Sequence, residues 1–119
     1  MSWKVAFHPA FAAEFQNLEE HVQDEISVMV ELLKAAGPQL KRPRSDTLDG
    51  SRHSNMKELR FDADGGVWRV AYAFDPKRKA VLLIAGDKSG MSQKRFYKLL
   101  IAKADQRFDE HLEAPGILT

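Results

Sequence analysis

A chain of 119 residues suits one domain spanning 1–119, and its length suffices to bury an ordinary core without metals or cross-links. The absence of cysteine removes disulfides, thiolate metal sites and cysteine nucleophiles, and agrees with a reducing compartment. The net charge of +1 hides an uneven spread: residues 1–36 carry two Lys against six Asp and Glu, whereas residues 41–104 carry fifteen Lys and Arg against seven.

An acidic first segment joined to a basic middle one favours an anionic partner for the latter, although cations that merely solvate a surface would give the same count. No run approaches the roughly 18 apolar residues of a membrane span, and the opening MSWKVAFHPAF lacks the basic-then-apolar layout of a secretion signal. A cytoplasmic location without membrane partners is therefore expected. Trp3, Val5 and Phe7 alternate with Lys4 and Ala6, the period-two pattern of a short half-buried strand. Pro9 fits the first turn of a helix, and Leu18, Val22, Ile26, Met29 and Leu33 then form one apolar stripe. The polar cluster from Gln16 to Glu20 divides this stretch into a helical pair, which Gly37-Pro38 ends.

Residues 39–55 show no sustained periodicity and contain a proline, a glycine and several Ser, Asp and Arg, so a mobile basic loop is expected there. Three strands follow, MKELRFD, VWRVAYAFD and AVLLIAG, separated by ADGG and PKRK, whose composition suits tight antiparallel connections. The run from Ala80 to Ala85 is apolar without alternation, as in a strand covered on both faces, and is expected at the centre of the sheet. Ser92 can cap a last helix in which Phe96, Leu100, Ala104, Phe108 and Leu112 repeat every four residues.

The first hairpin carries the chemistry. With Asp64-Gly65 as a two-residue turn, or Ala63 to Gly66 as a four-residue loop, Arg60 lies directly opposite Arg69. Two arginines so placed repel by up to roughly 1 kcal/mol, unless an anion such as phosphate sits between their planar forks of donors. Small Ala71 and Ala73 would leave that face shallow enough for a nucleic-acid backbone. The competing turn, Gly65-Gly66, instead sets Arg69 against Asp62 in an ordinary ion pair. Glu58 shares the arginine face in either register, as a general base or a charge neutraliser. Lys88 follows the third strand of the meander and can reach the same edge, and Tyr97 can point to the sheet or pack conventionally. The four histidines lack ligand spacing, and no Gly-rich phosphate loop or G-x-S-x-G elbow is present, so neither metal nor cofactor is expected.

The runs MKELRF, WRVAY and VLLIAGDK, followed by a helix, resemble the sheet core of RelE/ParE superfamily toxins, closest to the HigB-like branch. The resemblance extends from the first strand to the last helix. It implies an α+β, RelE-like fold of order β-α-α-β-β-β-α, with an antiparallel-rich sheet, a helical hairpin on one face and a C-terminal helix. It further implies the toxin of a type II toxin–antitoxin module, an endoribonuclease that cuts translated mRNA and is neutralised by a small DNA-binding antitoxin, whose acidic or helical segment would cover or distort the basic cleft. Arg60 and Arg69 fall on sheet arginines that contact the scissile phosphate in RelE-type toxins, and Lys88 on a cation after the last strand. Tyr97 lies near the family's tyrosine. Glu58 stands where RelE has a catalytic lysine, which leaves the base open between Glu58 and Lys57; Lys57 shares parity with core-facing Leu59 and Phe61. Lys57, Arg52, Lys94 and Arg95 are expected to follow the RNA backbone. Two other readings of the same fold remain: a ParE-like DNA gyrase inhibitor, and a nonenzymatic RNA- or protein-binding module.

Overall fold

A computed structural model of the chain describes residues 2–117. Its elements in chain order are β1 (Lys4–Phe7), α1 (Pro9–Phe15), α2 (Glu20–Ala36), a short 3-10 turn (Gly37–Gln39), β2 (Ser45–Thr47), β3 (Lys57–Ala63), β4 (Gly66–Phe74), β5 (Lys79–Asp87) and α3 (Gln93–Glu113). The five strands form one mixed sheet in the order β1-β5-β4-β3-β2, in which only the β1–β5 pair is parallel. The α+β class and the expected order of helices hold, with one strand more than the sequence pattern indicates. No helix among the described residues is long and apolar enough to cross a membrane.

Local chemistry explains the element boundaries. His8 caps α1 by accepting a hydrogen bond from the Ala10 amide at its Nδ1, and Pro9 occupies the position where a missing N–H is harmless. The hairpin between β3 and β4 turns through Asp64 (φ +50°) and Gly65 (φ +76°). Two consecutive left-handed residues make a turn whose twist matches that of the strands, and this fixes the register: Arg60 faces Arg69, whereas Asp62 faces Val67. The competing pairing of Arg69 with Asp62 is thereby excluded.

Alternation along the strands builds two cores. Leu59, Phe61, Val70, Tyr72, Ala80 and Leu82 face Phe11 of α1 and the α2 stripe of Val22, Ile26, Met29 and Leu33. On the opposite face Met56, Ala71, Ala73, Val81 and Leu83 meet Phe96, Leu100, Ala104 and Phe108 of α3. β5 is covered on both faces, as its unbroken apolar run requires, but the middle position belongs to β4.

Residues 39–55 correct the expected mobile loop. Ser45 to Thr47 pair with Leu59 to Lys57, Leu48 is buried, and the Ser45 hydroxyl meets the Tyr72 hydroxyl at 2.6 Å in the interior. Further on, Asp105 accepts from the Ser51 hydroxyl and the Arg52 amide, and Asp109 from Arg52 and His53. The segment is ordered by partners far along the chain, which local periodicity does not register.

Gly37 ends α2 at φ +56°, and a Cβ there would run into the Trp3 indole, which Phe74 and Arg78 hold from other sides. Gly37→Ala is expected to cost about 1–3 kcal/mol in urea denaturation. Asp75, buried in the β4–β5 turn, accepts from the Lys77 and Lys79 amides and meets His111 Nε2 of α3 at 2.7 Å. Burial opposes its charge, but the bonds from His111 and these amides outweigh that and hold the carboxyl below its ordinary value. A depressed folded-state value contributes stability that is complete above the unfolded pKa of about 3.9 and is lost as pH falls through the folded one. Asp75→Ala should therefore cost about 1–3 kcal/mol at neutral pH, with the gap to the parent narrowing under acid when the same denaturation is repeated there.

Candidate functional site

Glu58 and Arg60 project from β3 and Arg69 from β4, all toward the side that α3 covers. Tyr97 comes down from the second turn of α3, and Lys88 follows the end of β5. Ser92 positions the helix by accepting from the Arg95 amide, so that Phe96 and Leu100 enter the core while Gln93 and Tyr97 border an open cleft.

The anion between the arginines is supplied by the chain itself. Arg60 Nη1 donates to Glu58 Oε2 at 2.9 Å, and Arg69 Nε stands 3.6 Å from Glu58 Oε1. The Tyr97 hydroxyl donates to the same Oε1 at 2.8 Å and accepts from Arg69 Nε at 3.3 Å. This corrects the expectation that only a bound anion could offset the arginine repulsion. Glu58 is 3% exposed and Arg69 5%, the latter also donating from Nη1 to the Trp68 carbonyl at 2.8 Å. The Arg60 side chain keeps 22% exposure, so it presents the accessible guanidinium of the pair.

Burial and the bond to Glu58 push the Tyr97 phenol above its ordinary value, against the Arg69 donor, which keeps the phenol an O–H donor. The Lys88 ammonium lies 5.9 Å from the centre of the Tyr97 ring. Desolvation, then repulsion from Arg69 and Arg60, lowers its pKa, with Glu58 and Asp62 opposing.

The cleft encloses about 300 Å³, with Glu58, Arg60 and Tyr97 on one wall and Arg42, Asp46 and Gln93 among its other lining. Arg42 is paired with Asp46 at 2.7 Å, and this bond, followed by the Thr47 amide, holds the Asp46 carboxyl below its ordinary value. Arg42, Asp46 and Gln93 escape a sequence reading because the first two sit in a segment without periodicity, and Gln93 has no chemical mark of its own.

The structure brings Glu58, Arg60, Arg69, Lys88 and Tyr97 together. Lys57 pairs with Tyr72 and has the parity of the α2-facing residues, so it turns from the cleft. Arg52 is held by Asp109 near the far end of α3. Lys94 and Arg95 border a separate depression with Ser92, Lys98 and Leu99. Ala71 and Ala73 are fully buried beneath α3, so their small size lets the helix approach the sheet and leaves no floor for a nucleic-acid backbone. Among the described residues, no group of three or more His, Asp and Glu is placed to hold a metal ion.

Residues 13–109 match the family described as "Phage derived protein Gp49-like (DUF891)". Two Mycobacterium tuberculosis proteins carrying the toxin names HigB2 and HigB3 are similar in sequence. HigB2 is 40% identical over 102 residues, which are 85% of this chain and 50% of that protein. HigB3 is 41% identical over 98 residues, 82% of this chain and 83% of that protein. The chain thus spans about half the length of HigB2 and most of HigB3. In fold, a free-state double mutant of the Escherichia coli toxin RelE superposes with a TM-score of 0.61 at 12% identity, covering 87% of this chain and 97% of RelE. The archaeal RelE–RelB complex from Pyrococcus horikoshii contains a chain that superposes with a TM-score of 0.54 at 18% identity, covering 76% of this chain and 99% of that one. These two likenesses concern the fold alone. The chain belongs to the Gp49-like family, in the HigB-like branch of the RelE/ParE superfamily.

Proposed function

We propose that the chain is the toxin of a type II toxin–antitoxin module, acting in the cytoplasm as an endoribonuclease on translated mRNA and held inactive by a small DNA-binding antitoxin. The toxin names of its sequence relatives support the first part. The single observation that supports the chemistry is a carboxylate, a guanidinium and a phenol lining one cleft, with the buried Arg69 behind them and the Lys88 ammonium beside the Tyr97 ring. Those groups suffice for transesterification of RNA by proton transfer and charge stabilisation.

In this reading Glu58 takes the proton of the 2′-hydroxyl, whose oxygen forms a bond to the adjacent phosphorus. The bond from phosphorus to the 5′-oxygen breaks, that oxygen takes a proton from water, and a 2′,3′-cyclic phosphate remains. Arg60 can keep one N–H on Glu58 and offer others to the phosphate, because a guanidinium carries five donors. Arg69 and Arg60 stabilise the growing phosphoryl charge, Lys88 adds charge on the leaving side, and Tyr97 orients Glu58 through its hydroxyl. Glu58 is preferred to Lys57 as base because Lys57 faces the opposite layer.

The test is primer-extension mapping of mRNA cuts in a translating extract, with folding of each variant checked by circular dichroism. Arg60→Ala should slow cleavage by about 10²–10³-fold, and Glu58→Gln by about 10²–10⁴-fold. A 2′-deoxy substitution at the cut position should stop the reaction, since it removes the attacking oxygen. Undiminished cutting by a folded variant lacking both arginines would overturn the assignment. Inhibition of DNA supercoiling without cuts would point to gyrase as the target instead.

The pH profile gives an independent check. Because the Lys88 pKa is lowered, its charge is lost earlier in the alkaline range than that of an ordinary lysine. Lys88→Arg should therefore move the alkaline fall in cleavage to higher pH, since arginine stays protonated. An unchanged alkaline limb would remove Lys88 from the mechanism.

A further inference from the structure

The turn between β4 and β5 is built around Arg78. Asp75 Oδ1 accepts from the Lys77 and Lys79 amides, each at 2.9 Å, and the Arg78 amide donates to the Asp75 carbonyl at 2.8 Å. Arg78 is thereby held at φ +64°, a left-handed conformation that glycine adopts at lower cost. Among the described residues Asp64 alone shares this feature without being a glycine. A strained backbone kept at a residue with a long cationic side chain points to a use for that side chain.

The Arg78 guanidinium lies over the Trp3 indole, 4.8 Å from the ring centre, and Trp3 is itself fixed by the edge of Phe74 and by the backbone of Gly37. A ring contact restrains the guanidinium without using its N–H donors, and no hydrogen bond or ion pair among the described residues takes them up. Lys4 and Lys77 line the same depression, of about 430 Å³, with Ser2 and Trp3. All three cations are exposed, and no acidic side chain is among the lining. Here, unlike in the cleft, the chain does not supply the anion that would offset their repulsion.

We propose that Arg78 and Lys4, with Lys77 beside them, form a second RNA-binding site, which takes backbone phosphates of a folded RNA and holds that RNA without cutting it. This rests on the reading of the chain as a protein that acts on RNA. The fork of donors on Arg78 matches phosphate oxygens, and no carboxylate or imidazole borders the site to move a proton. Trp3 packs against Phe74 and the end of α2, whereas Glu58, Arg60 and Tyr97 line the cleft on the α3 side. Phe74 also stands five residues beyond Arg69 along β4, about 17 Å of strand. A strand lying in the cleft would have to pass around the sheet to reach Arg78, so the site suits a neighbouring part of a folded RNA. A lipid surface fits less well, because none of the exposed large apolar side chains, Val28, Met91 and Leu99, borders the depression.

The test is fluorescence anisotropy of a labelled RNA hairpin titrated with the full chain carrying Arg60→Ala, so that binding is read without cutting. Adding Arg78→Gln or Lys4→Gln should each weaken binding about tenfold and lower the slope of affinity against salt by about one. Lys103→Gln, the same loss of charge on α3, should leave both unchanged. Arg78→Gly suits the left-handed backbone, and should weaken binding as much while leaving the thermal midpoint where it was. With Arg60 restored, Arg78→Gln should not alter cutting of a short single strand. Undiminished hairpin binding by Arg78→Gln, an equal loss in Lys103→Gln, or Arg78-dependent binding to vesicles of anionic phospholipid with none to the hairpin would each overturn the proposal. Hairpin binding that depends on Arg78 in a chain whose parent cuts no RNA would uphold it while removing the ribonuclease reading.

Discussion

Two guanidinium groups opposite one another on adjacent strands repel, and Glu58 places the negative charge that offsets this inside the protein. The side chains of Glu58 and Arg69 are almost wholly withdrawn from water, so each depends on the other. Losing one member of a buried ion pair costs about 3–5 kcal/mol, mostly because the partner is left charged without compensation. The Tyr97 hydroxyl closes the arrangement by donating to Glu58 and accepting from Arg69, which ties α3 to the sheet at the edge of the cleft. One carboxylate thus neutralises the arginine pair and also lines the cleft, where it is the base in the proposed reaction.

The rest of the fold holds this cluster in place. Strands carry Glu58, Arg60 and Arg69, so their separation is set by the hydrogen-bonded register of β3 and β4 and not by a loop. α3 is anchored along its length: by Phe96, Leu100 and Phe108 in the core, by Asp105 and Asp109 gripping residues 51–53, and by His111 on Asp75. Arg107 adds a two-pronged pair with Glu14 of α1, joining the helices of opposite layers across the end of the sheet. Tyr97 and Gln93 therefore keep a fixed height above the strands. The electrostatics of the site, including the lowered Lys88 and the raised Tyr97, follow from that geometry.

α3 also divides the surface of the sheet. Its first turns present Gln93 and Tyr97 to the β3 side, where the lining is polar and charged, and Leu99 with Lys103 to the β5 side, where it is apolar with a basic rim. The excess of cations in residues 41–104 is dispersed: Arg60 lines the cleft, Lys103 the groove on the β5 side of α3, Arg52 pairs with Asp109 and Arg78 covers Trp3. A basic segment in the sequence need not mean one basic site.

The hydrophobic spacing of residues 18–33 and 96–112 determined the two long helices, because burial on one face forces that period on a helix whatever it packs against. The ADGG segment marked the hairpin but left two registers open, and the left-handed Asp64 and Gly65 of the folded turn chose the one that opposes Arg60 to Arg69. The family was legible in MKELRF and WRVAY for the same reason: those strands hold the site. What the tertiary structure alone decided is everything set by distant partners. β2 exists because Ser45 to Thr47 find the edge of β3, Ala71 and Ala73 are covered because α3 folds onto them, and Arg52 is drawn to Asp109. Above all, Glu58 reaches both arginines at once: the strand pattern places it on their face, but only the folded arrangement of side chains makes it the anion between them.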